Sequence, residues 1–287
     1  MADVLITGAS GLLGSTVVTE LARDRDVVAL ARRPPLDDGG ARWLVHDLRS
    51  PALPDDLPST VDAVVHLAQA REFRDFPVRA PDVFAVNVAS TALLADWACN
   101  VGARHLVVAS SGAVYRPGSE PHREDEPVGG PEVPSYYAST KLAAEMLARA
   151  YSSELAVTIL RPFFIYGRGQ EASMLFPRLV ASVRAGTPVR LDGGEGMRFN
   201  PVHVSDAAAA VAAALVQEQS CVVNVAGPEV LTLRTAVELL GEELGTEPRF
   251  DVRNMTPTDF VADVSTMTAR LGAPTTRLAD VVTELCQ

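Results

Sequence analysis

The chain has 287 residues, 47% of them hydrophobic, enough to bury one large core or a core with a smaller lobe. Its 36 acidic residues outnumber 25 basic ones for a formal net charge of −11, and its arginines are scattered. A nucleic-acid partner, whose phosphates need clustered cations, is therefore not expected. Three cysteines far apart, Cys99, Cys221 and Cys286, form no CxxC or Cys/His pattern, which reads as a reduced, intracellular chain with no structural metal.

The first residues, "MADVLITGAS", run into a strand pattern with no basic n-region or cleavage site. The longest apolar run, "AAAAVAAALV" at 207–216, is too short to span a bilayer and reads as a buried helix. A cytoplasmic protein without a membrane partner is the expectation.

In chain order, "DVLITG" is an apolar strand ending in glycine, followed by "LGSTVVTELARD" at helical spacing. "DVVALA", "ARWLVHDL" and "VDAVVHLA" read as the second, third and fourth strands. A helical stretch, "VFAVNVASTALLADWACNVG", leads to the fifth strand, "HLVVASS", then to the helix "YASTKLAAEMLARAYSSE" and the strand "AVTILRP". Short β-rich runs alternating with helices predict an α/β fold, a doubly wound parallel (Rossmann) sheet covered on both faces. After about residue 165 the rhythm breaks into turns, short helices and charge. The expected division is a dinucleotide-binding domain over 1–165 and, over 166–287, mainly a smaller substrate-binding lobe with some segments returning to the first domain. The stretches "RPPLDDGG" and "PGSEPHREDEPVGGPEVP" read as loops, the second either facing the substrate or simply solvated.

"TGASGLLG" places Gly8, Gly11 and Gly14 between the first strand and helix. Glycines there allow a tight turn and close approach of a pyrophosphate, while the helix N-terminus supplies unpaired N–H donors. At the end of the second strand, "VVALARRPP" has Ala31 where an NAD site typically presents a carboxylate, then Arg32 and Arg33. That favours NADP(H), with NAD possible, over the bland reading of two solvated arginines. Asp47, after the third strand, either accepts from an adenine amino group or is an ordinary turn acid.

The stretch "SYYASTKLAAE" at 135–145 holds Lys141, the only lysine among 25 Lys and Arg residues. Tyr137 lies four residues before it and shares its helix face, whereas Tyr136 points elsewhere. A nearby ammonium and an oxidised nicotinamide would lower the phenol's pKa. Arginine is bulkier, planar and essentially permanently charged, so it is no substitute for lysine here. Upstream, "VVASSGAVY" ends the fifth strand with Ser110 and Ser111, hydroxyls able to hold a substrate oxygen beside the tyrosine.

Together with "HLA" at 66–68, "NV" with Thr91, "LRP" at 160–162, "IYGRG" and "PVHVSDAA", these motifs resemble the extended short-chain dehydrogenases/reductases, the NAD-dependent epimerase/dehydratase family, over nearly the whole chain. The resemblance implies Tyr137 as general acid/base, Lys141 orienting the nicotinamide ribose, and Ser111 rather than Ser110 positioning the reacting oxygen. It implies cofactor contacts from Gly8, Ser10, Gly11, Leu12, Leu13, Gly14, Arg32, Arg33, Asp47, Leu48, Leu67, Ala68 and Asn87, besides Tyr137 and Lys141. Asn87 has the alternative reading of a buried polar or capping residue. A homodimer through the catalytic helix and the one before it is also implied.

The family's dehydratases carry an Asp-Glu pair after the strand-end hydroxyl, where this chain has Gly112 and Ala113. Members acting on sugar nucleotides often read "RPxNVYGPG" and "RDF"; here Phe164 and Arg168 stand in "RPFFIYGRG", and Arg198 in "RFNPVHV" is one position out of register. Arg168, Arg198, Arg184 or Arg190 are the residues left to clamp a diphosphate, while Phe163 and Phe164 suit a less charged ketone. Gln69, Ser111, Phe164, Arg168 and Arg198 are the substrate candidates. The expected activity is an NADPH-dependent ketoreductase acting on a nucleotide-activated keto sugar or related specialised metabolite, with Tyr137 the proton donor. The alternatives are a nucleotide-sugar epimerase and an NADP-sensing regulator without catalysis.

Overall fold

Strands apolar on both faces, each joined to the next through a helix or a long connection, can satisfy both their side chains and their backbones only inside a covered parallel sheet. The computed structural model, which describes residues 2–129 and 135–287, has this arrangement. The order is β1 (Ala2–Thr7), α1 (Leu12–Leu21), β2 (Val27–Ala31), β3 (Arg42–Val45), β4 (Val61–His66), α2 (Ala80–Phe84), a π-helical turn (Ala85–Ala89) and α3 (Ser90–Asn100). Then follow β5 (His105–Ala109), a 3₁₀ turn (Gly112–Val114), α4 (Tyr136–Arg149) and β6 (Ala156–Pro162). The remainder comprises β7 (Ile165–Tyr166), α5 (Leu175–Arg184), β8 (Val189–Asp192), β9 (Arg198–Phe199), β10 (Val202–His203), α6 (Val204–Ala214), β11 (Cys221–Val225), β12 (Leu231–Thr232), α7 (Leu233–Leu244), β13 (Phe250–Arg253), α8 (Ser265–Arg270) and α9 (Leu278–Leu285).

Seven strands form one sheet in the order β11-β6-β5-β4-β1-β2-β3, every pair parallel. The strand order reverses between β1 and β4, the place where such sheets open a crevice at their carboxyl ends. All five residues of β2 are buried, whereas β3 at the edge buries only Leu44. Helix α1 buries Gly14, Val17, Val18 and Leu21, one stripe at helical spacing, and packs with α6 on one face of the sheet. Leu94, Ala95 and Ala98 of α3 and Ala148 of α4 cover the other face. Each fully buried Leu or Ile in these layers contributes roughly 1.5–3 kcal/mol relative to exposure.

The run 80–100 is long and apolar enough to cross a bilayer, yet its buried face is this core layer, and its Asn87, Ser90 and Thr91 are buried within the protein. Strand β11, "CVVNV", has no counterpart in the sequence reading. Both α6 and β11 return to the central sheet, while α5, α7 and α9 share a separate core. Of the loop at 117–134, residues 130–134 lie outside the described residues.

Candidate active site

A cavity of about 600 Å³ opens at the carboxyl ends of the central strands. Its floor is the turn from β1 to α1. Gly8 has φ +68°, and a Cβ on it would meet the Ala68 amide nitrogen at 2.6 Å; a Cβ on Gly14 would meet the Gly8 carbonyl at 2.1 Å. The turn can therefore sit on the "HLA" segment only as glycine. Gly11 caps α1 with extended backbone and no side-chain bond, so the first N–H groups of the helix are left for a ligand. These residues fit a dinucleotide: a glycine cradle, an uncapped helix start, and Ser10, Gly11, Leu12 and Leu13 all on the cavity wall.

Ala31, Arg32, Asp47 and Leu48 line the adenosine end expected of such a cavity, together with Leu67, Ala68 and Gln69 farther in. Asp47 is held by the Arg49 guanidinium, Nε donating to both carboxylate oxygens at 3.1 and 3.0 Å. That bond first, with Arg32 contributing last, lowers its pKa to about 2. Its carboxylate is already engaged by Arg49, a partner the sequence reading did not consider.

Seven candidates do not line the cavity, among them the possible diphosphate clamps Arg184 and Arg190. Gly14 is packed inside the turn, and Arg33 and Arg168 are exposed beyond the wall. Asn87, expected among the cofactor contacts, stands one layer behind it: Oδ1 accepts from the Ala70 amide at 3.1 Å and Nδ2 donates to Thr140 at 3.0 Å. Its side chain ties the segment after β4 to the tyrosine helix and is buried off the cavity wall. Arg198 donates to Asp259 at 2.8 Å and to the Ser119 carbonyl at 3.0 Å.

Ser111, Tyr137 and Lys141 meet on the cavity wall. Ser135 caps α4 by accepting from the Ala138 amide at 3.1 Å, which sets the helix phase. Ala138, Lys141, Ala144, Glu145 and Ala148 then form its buried face. Tyr136 leaves the site, stacking on Phe76 and donating to the Ala80 carbonyl at 3.0 Å. The Tyr137 hydroxyl donates to Gln69 Oε1 at 2.7 Å, and its ring packs on Phe73 with centroids 4.8 Å apart.

Burial raises the Tyr137 phenol to about 12, only partly opposed by its hydrogen bond with Ser111. The lowering expected from the Lys141 ammonium is not among the causes that set this value. Lys141 Nζ lies 6.0 Å from the ring centroid and donates to the Ala109 carbonyl at 2.9 Å. Burial lowers Lys141 itself to about 8, with Glu145 opposing.

Behind the wall, register places Thr7 opposite His66, with Thr7 Oγ1 2.6 Å from His66 Nδ1. Ser90 Oγ gives its proton to the Val86 carbonyl at 2.6 Å, so it accepts from His66 Nε2–H at 3.2 Å, and bare Nδ1 accepts from Thr7. Burial, then the Lys141 charge, lowers this imidazole to about 3, and it stays neutral.

Sequence reading missed a second buried chain. Ser110 donates to Glu145 Oε1; Arg161 Nη2 donates to Glu145 Oε2 at 2.7 Å and its Nη1 to the Tyr115 hydroxyl at 2.7 Å. Tyr115 donates onward to Asn224 Oδ1 at 2.9 Å. The signal was present: Glu145 falls four residues after Lys141 on the buried face, and Arg161 stands inside an apolar strand.

The fold and site define a dinucleotide-dependent oxidoreductase. The family model for the NAD dependent epimerase/dehydratase family matches residues 4–226, and the chain belongs to that family, in the extended branch of the short-chain dehydrogenase/reductase superfamily. Among its relatives, a "3-diazoavenalumate denitrifying reductase" from Streptomyces sp is 31% identical over 85% of this chain and 82% of its own. A "dTDP-4-dehydro-6-deoxy-D-allose reductase" from Streptomyces bikiniensis is 27% identical over 86% and 82%. A solved structure, "MoeE5 in complex with UDP-glucuronic acid and NAD", superposes with a TM-score of 0.84 at 31% identity, covering 98% of this chain and 97% of that one.

Proposed function

We propose that this protein is an NADP(H)-dependent ketoreductase in which Tyr137 gives its phenolic proton to the carbonyl oxygen. The observation that carries the reading is the meeting of Ser111, Tyr137 and Lys141 beside the glycine turn in one cavity. When bound, the reduced dinucleotide supplies the hydride that the carbonyl carbon receives. A phenol raised to about 12 is fully protonated at neutral pH, the state a proton donor needs. The Ser111 hydroxyl, on the same wall as the phenol, is placed to hold the same oxygen. The Lys141 ammonium, 6.0 Å from the ring, favours the phenolate left after transfer. The C=O π bond is replaced by one C–H and one O–H bond, and an alcohol leaves.

Gly112 supports reduction over dehydration. A Cβ there would lie 2.7 Å from the Phe163 ring, so the backbone position that holds the first dehydratase carboxylate has no room for one. The relative named as a dTDP-4-dehydro-6-deoxy-D-allose reductase supports carbonyl reduction as the chemistry. Arg32 on the wall, with Ala31 in place of a carboxylate, supports NADPH. NAD-linked epimerisation is the second reading, because MoeE5 carries NAD with UDP-glucuronic acid. A regulator without catalysis would have no use for the Tyr137–Lys141 pair. The test is nicotinamide fluorescence on mixing the NADPH-loaded protein with ketones and keto sugars: oxidation that is lost in Tyr137→Phe supports the reading, and equal turnover by Tyr137→Phe overturns it.

A further inference from the structure

The cavity continues past Tyr137 into an aromatic chamber, and its lining bears on what the carbonyl is attached to. Phe163 follows β6 and is fully buried; it packs tilted against Phe260 with centroids 5.1 Å apart. Phe164 meets Phe260 edge-on at 5.8 Å and Phe199 edge-on at 5.3 Å. Among the described residues Phe164 is the one non-glycine with positive φ, at 45°. A bulky side chain held in the left-handed region stores strain, and such strain persists where the surroundings over-determine it. Here the surroundings are the rings that Phe164 completes.

The charges around the chamber cancel. Arg71 pairs with Glu171 at 3.2 Å, and Arg74 donates to the Ser173 carbonyl at 2.9 Å while lying 4.9 Å from the Phe73 centroid. Glu72 and Glu171 line the same cavity as these two arginines and balance their charge. Arg198 is neutralised by Asp259 and is off the wall. The start of α5 offers backbone donors at Leu175 and Phe176, but Pro177 removes the next one. A diphosphate would bring two negative charges to a place with paired cations, two carboxylates and ring faces.

We infer that the substrate end of this cavity takes an uncharged carbonyl compound bearing an aromatic or extended apolar group, and not a carbonyl carried on a nucleoside diphosphate. The inference rests on the reductase reading for its chemistry, yet the chamber's selectivity is measurable by binding alone. An aryl group would lie among Phe73, Phe163, Phe164 and Phe260, with its ketone oxygen displacing Gln69 from the Tyr137 hydroxyl.

The test uses the NADPH-loaded protein and two sets of probes, 4-phenylbutan-2-one with acetophenone, and dTDP with UDP, followed by calorimetry and by NADPH consumption. The expected result is binding of an aryl ketone that excess dTDP or UDP does not displace. Phe164→Asn should weaken the ketone about ten-fold, the scale of one lost buried aromatic contact, while NADPH affinity, which reports folding, stays within about two-fold. Tighter binding of dTDP or UDP than of either ketone, or binding of neither set, overturns the inference. Ketone binding without NADPH consumption supports the chamber's selectivity while sinking the reductase reading, so the two fail separately.

Discussion

The Tyr137 hydroxyl donates to Gln69 Oε1 at 2.7 Å, so the proton proposed for reduction is held by a residue the substrate oxygen must displace. Gln69 is exposed to the cavity, whereas Lys141 behind the tyrosine is only 3% exposed. Tyr137→Phe should lower kcat by about 10²–10⁴-fold, the usual yield of a positioned general acid, with NADPH binding retained by fluorescence titration. Gln69→Ala should keep kcat within about ten-fold of the parent, because the donor itself remains. A Gln69→Ala loss as large as that of Tyr137→Phe would assign Gln69 a direct part in proton transfer.

Lys141, lowered by burial to about 8, predicts an alkaline limb in the rate profile: activity falls as pH rises through 8 and the ammonium is lost. Stability should move the opposite way. The unfolded chain keeps this proton up to the ordinary value of 10.5, so between about 8 and 10.5 it binds more protons than the folded one. Over that window unfolding free energy gains from this group as pH rises. Rate profiles and urea midpoints at matched pH check both signs, and in Lys141→Arg the limb near 8 should vanish.

Arg32 lines the cavity beside Asp47, whose carboxylate it helps keep ionised. If it receives a 2′-phosphate, Arg32→Ala should raise KM for NADPH about ten-fold or more, the worth of one charge-assisted hydrogen bond, and leave NADH within about two-fold. Equal effects on both dinucleotides would remove the phosphate role.

Glu145 and Arg161 are each at most 2% exposed and joined at 2.7 Å. Removing one partner strands a buried charge, so Glu145→Ala should cost about 3–5 kcal/mol by chemical denaturation. Replacing both, as in Glu145→Leu with Arg161→Met, should recover much of that loss. A double variant as unstable as the single would mean that Ser110 and Tyr115, not the ion pair, hold this part of the core.

Gly112 lies against the Phe163 ring, and Gly112→Ala should destabilise by about 1–3 kcal/mol through overpacking. Adding Phe163→Leu should relieve part of this, read as a rise in Tm over the single variant. No relief would place the clash on the backbone instead.

What was legible in the sequence was local. The glycine turn, the period of the strands and helices, and the four-residue step from Tyr137 to Lys141 follow from backbone geometry within a few residues, and they suffice for the family and the sheet. Asn87 and Asp47 were legible as polar residues near the site, but not the partners that occupy them. Asn87 turns to Ala70 and Thr140, 17 and 53 residues away. Strand β11, apolar but for Asn224, has its place in the sheet set by β6, 63 residues back in the chain.

The chain's own order thus determined the pair proposed to react, because a helix places Tyr137 over Lys141 wherever it is docked. Only the tertiary structure decided what surrounds that group. It paired Arg198 with Asp259, 61 residues on, closed Phe164 against Phe199 and Phe260, and set Glu145 on Arg161 inside the core. Charge neutralisation and ring packing depend on which distant segments the sheet brings together, and no local period encodes that choice.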